Sequence, residues 1–320
     1  MSKIINVLDG GFGGQLSRHV GVKIDGDPLW TARFLATNPT AVYDTHMDFL
    51  RAGADIIETN TYQASIPGFM KYLNMSSTES LNLLLTAVHL AKKAANDYSQ
   101  EKGLCPESKP KVVGSCGPYG AYLHDISEYT GAYGKTMSRK ELYDWHRPRF
   151  KALLDAGVDL LAFETIPCVE EAEALLDLLK EFSEARAWLS FSCRDDCHIS
   201  DGSVFKEVAL RCYHTLPSQI VAVGVNCVDP KYVTPLLQSI NPSLEKKQIP
   251  LVVYPNRGDC FTIGEQAVAS DDLLNLPISD WLDLGVRYLG GCCKIFAEDI
   301  KTIRSEVNQW LCSQGKNYTI

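Results

Sequence analysis

Cysteines at two distant points of the chain carry the strongest chemical signal. Arg287-Tyr-Leu-Gly-Gly-Cys-Cys-Lys294 places two adjacent thiols, Cys292 and Cys293, behind a glycine pair at the end of a short apolar run. Val221-Ala-Val-Gly-Val-Asn-Cys227 is a second β-type run ending in a thiol. Three thiolates from two strand ends can hold one zinc ion and leave its fourth tetrahedral position open, the arrangement of a catalytic zinc. Adjacent cysteines on a regular strand point to opposite faces. Gly290 and Gly291 must therefore open a departure from strand geometry if both sulfurs are to reach one ion. Two buried cysteines beside a turn, or a vicinal disulfide, are the alternatives this pattern leaves open.

A zinc held by three sulfurs favours a soft fourth ligand such as a substrate thiol. Free thiols, with a pKa of about 8.5, are mostly protonated at neutral pH, and coordination ionises them. The site then generates a nucleophile for attack on an electrophilic carbon. Asp9, Glu58 and Glu164 also sit at the ends of apolar runs. Asp9 and Glu164 suit an ammonium group, while the turn Asp9-Gly-Gly-Phe-Gly-Gly14 suits a carboxylate through its backbone amides. That turn lacks the Lys and Ser/Thr of a P-loop and does not keep the G-x-G-x-x-G spacing. Ammonium, carboxylate and thiol together describe an amino acid such as homocysteine.

These groups need a scaffold that gathers strand ends. Eight apolar strand-like runs alternate with eight helical patterns. The runs begin at Ile4, Asp55, Lys111, Val158, Ala187, Val221, Pro250 and the segment before Cys292. Ser76/Glu79 and Ser138/Glu141 have the form of capping boxes. Leu81, Leu84, Leu85 and Val88 repeat at helical spacing, as do Ala172, Leu175, Leu176 and Leu179. Pro148 is expected to kink its helix. Continuously apolar strands alternating with amphipathic helices mean a parallel sheet covered by helices. Eight such units predict a single (β/α)8 (TIM) barrel over residues 1–320, with chemistry at the C-terminal strand ends. A doubly wound open sheet is the alternative.

Composition narrows the function. A net charge of −8 argues against nucleic acid and anionic membranes as partners. The start reads as a strand, not a signal peptide, and no apolar run approaches a membrane span, so a cytoplasmic protein is expected. Eleven cysteines, an odd number without framework spacing, read as reduced thiols.

Asp9-Gly-Gly11, Glu58-Thr-Asn-Thr-Tyr-Gln-Ala-Ser65, Gly117-Pro-Tyr-Gly-Ala121, Glu164-Thr-Ile-Pro167, Gly224-Val-Asn-Cys227, Tyr254-Pro-Asn256 and Gly290-Gly-Cys-Cys293 together resemble the homocysteine S-methyltransferase family. The resemblance implies a zinc-dependent barrel with Cys227, Cys292 and Cys293 as ligands of one Zn2+. It places Asp9, Gly10, Gly11, Glu164 and Asn226 around homocysteine. The chain looks most like the short branch that uses S-methylmethionine or S-adenosylmethionine and makes methionine. It is too short for cobalamin and folate modules, and has no room after Leu311 for the assembly extension of the betaine-dependent branch. A sulfonium donor calls for aromatic and acidic groups, for which Tyr119, Tyr122, Glu128, Tyr129 and Tyr133 are candidates. Lys294-Ile295, where the family usually has Arg-Thr, and Arg257 and Cys260 after Tyr254-Pro-Asn256 are departures expected near the mouth of the site. A selenocysteine or selenohomocysteine acceptor is the nearest alternative, and a zinc- or redox-sensing protein is a rival of another class.

Overall fold

The computed structural model describes residues 5–22, 24–242, 248–258 and 275–315; Cys260 lies outside them. Eight parallel strands are present: β1 Asn6–Val7, β2 Ile56–Glu58, β3 Lys111–Cys116, β4 Leu160–Ile166, β5 Ala187–Phe191, β6 Ile220–Asn226, β7 Leu251–Tyr254 and β8 Val286–Leu289. Their order, β1-β8-β7-β6-β5-β4-β3-β2, runs round a ring whose one unladdered seam lies between β1 and β2. Asp55 closes it, its amide on the Val7 carbonyl at 2.7 Å and its carboxylate on the Val7 amide at 2.8 Å. The architecture is a TIM-type barrel, as the alternation predicts.

Strand periodicity divides each strand between two cores. Ile56, Val113, Ala162, Trp188, Ala222 and Val252 fill the barrel interior. Ile57, Val112, Phe163, Leu189, Val223 and Val253 belong to the larger core around it, packed with residues of the surrounding helices. Both capping boxes form, on the helices Ser77–Lys102 and Arg139–Asp155, and the second runs through Pro148 without interruption.

Two expectations need adjusting. Several helices, not one, fill the β1–β2 and β2–β3 connections, including Phe12–Val20, Pro39–Ala52, Ile66–Leu73 and Ser77–Lys102. On Ser77–Lys102 only Leu84 and Val88 of the four spaced apolar residues are buried. Leu81 and Leu85 face out because the buried stripe continues through Ala87, Ala91, Ala94 and Ala95. Small residues there bring the helix against the β1–β2 connection, mainly Pro39–Ala52, and no leucine pattern announces that stripe. Among the described residues, no helix is long and apolar enough to cross a membrane.

Candidate active site

The last interior position of six consecutive strands is polar or acidic. Glu58, Ser115, Glu164, Ser190 and Tyr254 stand one inward position beyond the apolar filling, and Asn226 two beyond Ala222; together they form a polar layer over it. Above this layer opens a cavity of about 780 Å³, lined by Asp9, Glu58, Glu164, Glu128, Tyr129 and the three cysteines among others. That volume suits a small-molecule site.

Cys227 should point outward, since it lies five residues beyond Ala222 and one beyond Asn226, both of which point inward. A left-handed backbone (φ 49°) at Cys227 breaks the alternation and turns its sulfur into the cavity. The other two thiols arrive from a loop after β8, where Lys294 is also left-handed (φ 63°). Gly291 is required there for space: a Cβ would lie 2.1 Å from the Ile295 side chain. The amide of Cys292 bonds the Pro255 carbonyl at 2.8 Å and that of Cys227 bonds the Tyr254 carbonyl at 3.0 Å, so both cysteine segments are tied to the end of β7.

The sulfurs lie 3.5 Å apart for Cys227–Cys293 and 4.0 Å for Cys292–Cys293, and all three within 4.8 Å of one another. A tetrahedral site with sulfurs about 2.3 Å from zinc has an edge of roughly 3.8 Å, so the trio fits such an ion in donor type and spacing. Cys292 and Cys293, donating toward Cys227, hold its thiol well below the usual range. Cys292 is pushed well above the usual range by the same contact. The Tyr129 hydroxyl lies 3.2 Å from the Cys227 sulfur.

Opposed to the sulfurs is an acid cluster. Burial, then the neighbouring Glu164 charge, raises Asp9 to about 8, although the Glu58 amide on its carboxylate at 2.8 Å pulls the other way. Burial also raises Glu164 to about 7, against the hydrogen bonds from Ser115 and Glu58. Glu58 is raised well above its ordinary value by burial and then by Glu164 and Asp9. Like charges in a desolvated site hold protons until a cation arrives. Glu58, given no binding role from the sequence alone, is thus a full member of this cluster.

The glycine turn behaves differently from its expectation. Gly10 and Gly11 line the cavity, but the Gly11 amide is already bonded to the Ile295 carbonyl at 2.7 Å. A Cβ on Gly11 would lie 2.5 Å from the Cys292 carbonyl oxygen. Its smallness therefore lets β1 dock against the cysteine loop. Free amides for an anion come instead from the first turn of the helix Phe12–Val20, whose N–H groups have no carbonyl partners within the helix.

Asn226 is buried beneath Cys227 and is not among the cavity-lining residues. Its side-chain oxygen accepts from the Thr165 amide at 2.6 Å and the Ser190 hydroxyl at 2.8 Å, and its amide group donates to the Thr165 hydroxyl at 2.8 Å. Thr165 is a β-branched residue in left-handed backbone (φ 58°), at the register shift that follows Glu164. Asn226 braces that strained turn. Of the aromatic candidates, Tyr129 lines the cavity with Glu128, whereas Tyr119 and Tyr122 pack on Trp145 outside it. Tyr133 is buried with its hydroxyl on Glu171. Tyr62, not among the aromatic candidates for the donor, lines the cavity and packs edge-on against Trp30 at 6.1 Å.

Two further groups find structural explanations. Arg257 is mostly buried against Asp299 at 2.9 Å and donates to the Lys294 carbonyl at 3.0 Å, so it braces the cysteine loop and does not face the cavity. Asp195, Cys197 and His198 converge on the β5 loop, but one Asp195 oxygen accepts from the backbone amides of Cys197 and His198, as a turn requires.

Residues 6–307 match the family model described as homocysteine S-methyltransferase. The chain is 46% identical over 316 residues to the betaine-homocysteine S-methyltransferase of Drosophila melanogaster, covering 96% of this chain and 95% of that protein. It is 39% identical over 303 residues to homocysteine S-methyltransferase YbgG of Bacillus subtilis (strain 168), covering 93% and 92%. The Escherichia coli homocysteine methyltransferase MmuM, solved in an oxidised and a metallated form, superposes with TM-scores of 0.81 and 0.80. It is 38% identical in both comparisons, which cover 95% and 94% of this chain and 96% of MmuM. Likeness sustained at this identity from the first strand to the last helix means that the chain is a methyltransferase and belongs to the homocysteine S-methyltransferase family.

Proposed function

We propose that this chain transfers a methyl group from an onium donor to the sulfur of homocysteine, giving methionine, with zinc held by Cys227, Cys292 and Cys293. The observation that carries the reading is the set of three sulfurs at thiolate-site spacing beside a buried acid cluster in one cavity. Zinc, when bound, supplies a Lewis acid that ionises the substrate thiol at neutral pH. The chain's own residues do the rest. Asp9, Glu58 and Glu164 receive the ammonium of homocysteine and give up protons to do so. The first-turn amides after Gly11 receive its carboxylate. Burial excludes water from the thiolate and from the methyl group. The new sulfur–carbon bond forms as the donor's onium–carbon bond breaks, and the electron pair returns to the donor.

The sulfonium donors S-methylmethionine and S-adenosylmethionine are the first reading, from the short chain. Betaine is the second, favoured by the 46% identity to a protein named for it. Residues 1–320 are read as one homocysteine-binding domain, working in a reducing cytoplasmic setting that keeps its thiols free. The test is methionine formation by the zinc-loaded protein with each donor in turn, and with selenohomocysteine as competing acceptor. Absence of product with all three donors, or full activity after the metal is stripped, would sink the reading.

A further inference from the structure

Glu128 sits in the single turn Ser127–Tyr129 on the loop after β3. The turn is clamped from two sides. The Ser192 hydroxyl donates to the Glu128 carbonyl at 2.8 Å, and a Cβ on Gly120 would lie 2.5 Å from the Glu128 amide nitrogen. The side chain so positioned lines the cavity. One of its carboxylate oxygens, Oε2, is buried with no hydrogen-bond partner. No lysine, arginine or histidine among the described residues forms a salt bridge with it. Its electrostatic neighbours are Tyr62, Cys227 and Asp125, and burial raises its pKa to about 7, against the pull of its own backbone amide.

A desolvated carboxylate oxygen with neither cation nor donor is costly, so the partner of Oε2 must come from a ligand. Homocysteine has one ammonium group, and three acids already converge where that group is read. The remaining positive charge in the reaction is the one that bears the methyl. An onium sulfur or nitrogen has no proton to donate. It needs a bare anion and aromatic walls, not a ring of acceptors. Glu128 with Tyr62 and Tyr129 offers that, whereas Asp9, Glu58 and Glu164 with Ser115 form a hydrogen-bonding set suited to N–H donors.

Resting on the methyl-transfer reading above, we infer that Glu128 is the counter-ion of the onium group on the methyl donor, and so sets the enzyme's preference for a charged donor. When the onium–carbon bond breaks, its electron pair neutralises the donor, and the thiolate becomes a neutral thioether. Glu128 thus attracts the unreacted donor and not the demethylated product. Because the charge is largest before reaction, its contribution falls on donor binding more than on turnover.

The test compares each onium ligand with its uncharged carbon isostere by calorimetry on the zinc-loaded enzyme with homocysteine bound. The pairs are betaine with 3,3-dimethylbutanoate and S-methylmethionine with 2-amino-5-methylhexanoate. Wild type is expected to favour the cation of at least one pair by about tenfold or more, and Glu128→Gln to abolish that preference by weakening the cation alone. In turnover, the variant's loss in kcat/KM falls on the donor KM. A cation-to-isostere ratio unchanged in Glu128→Gln, or a wild type that binds both alike, overturns the assignment. Homocysteine affinity and bound zinc, measured in the same samples, report separately on the methyl-transfer reading, and Glu128→Gln leaves both in place.

Discussion

Two clusters of like charge share one cavity, and they handle the same electrostatic problem differently. The sulfur trio is fixed by backbone: two left-handed residues, a glycine packed to contact, and amide bonds to the end of β7. The acid trio is fixed through its own carboxylates, by the Ser115 hydroxyl, the main-chain amide of Glu58 and the Glu58–Glu164 contact. Soft donors in rigid backbone suit a resident cation, whereas hard donors that hold exchangeable protons suit a cation that comes and goes. On the proposed function, one site then separates permanent from transient charge compensation.

That contrast can be broken most sharply at the sulfurs. Serine at Cys227, Cys292 or Cys293 is expected to cost at least about 100-fold in both metal affinity and turnover, more than changes outside a ligand set usually do. Elemental analysis alongside methionine assay checks this, and a fully metallated, active variant would contradict it. Glu164→Gln should raise the homocysteine dissociation constant roughly 10- to 100-fold, the worth of a charge-assisted hydrogen bond, while zinc stays bound. Loss of metal instead would show that the two clusters are not independent.

The transient cluster also has a pH signature. Asp9 and Glu164 ordinarily titrate at 3.8 and 4.5 but are raised to about 8 and about 7 in the fold, so the folded chain binds more protons between those limits. The stability they confer at low pH is therefore lost as pH rises from about 4 to about 8. Thermal melts of the homocysteine-free protein should show this decline, and Asp9→Asn should flatten it; a parallel slope in the variant would remove Asp9 from the account. The smallest effect is expected at Arg257. Arg257→Met should lower stability by about 1–3 kcal/mol through the freed Lys294 carbonyl and Asp299, with both substrate KM values unchanged. A shifted donor KM would return Arg257 to the mouth of the site.

Much of this was legible because it is periodic or local. Alternating strand and helix patterns gave the barrel, the capping boxes formed where Ser76 and Ser138 announced them, and polar strand ends located the cavity. The rest depends on residues distant in sequence. Nothing near Asn226 indicates that it braces Thr165 across from β6 to β4, and nothing near Arg257 reveals its partner on the last helix. Tyrosine type alone could not separate Tyr129, aimed at Cys227, from Tyr119, which the short helix Tyr119–Leu123 turns toward Trp145. The sequence around Gly11 suggests an anion-binding amide, yet the Gly11 amide is consumed and its missing side chain is what the packing uses.

The seam between β1 and β2 offers a built-in reporter. At the cavity end, the first two strands are linked by one Asp9 oxygen on the amide of Glu58, so a guest that recruits Asp9 shares its carboxylate with a main-chain proton. Deuterium uptake at that single amide should then register occupancy of the amino-acid pocket without a label, a chromophore or turnover.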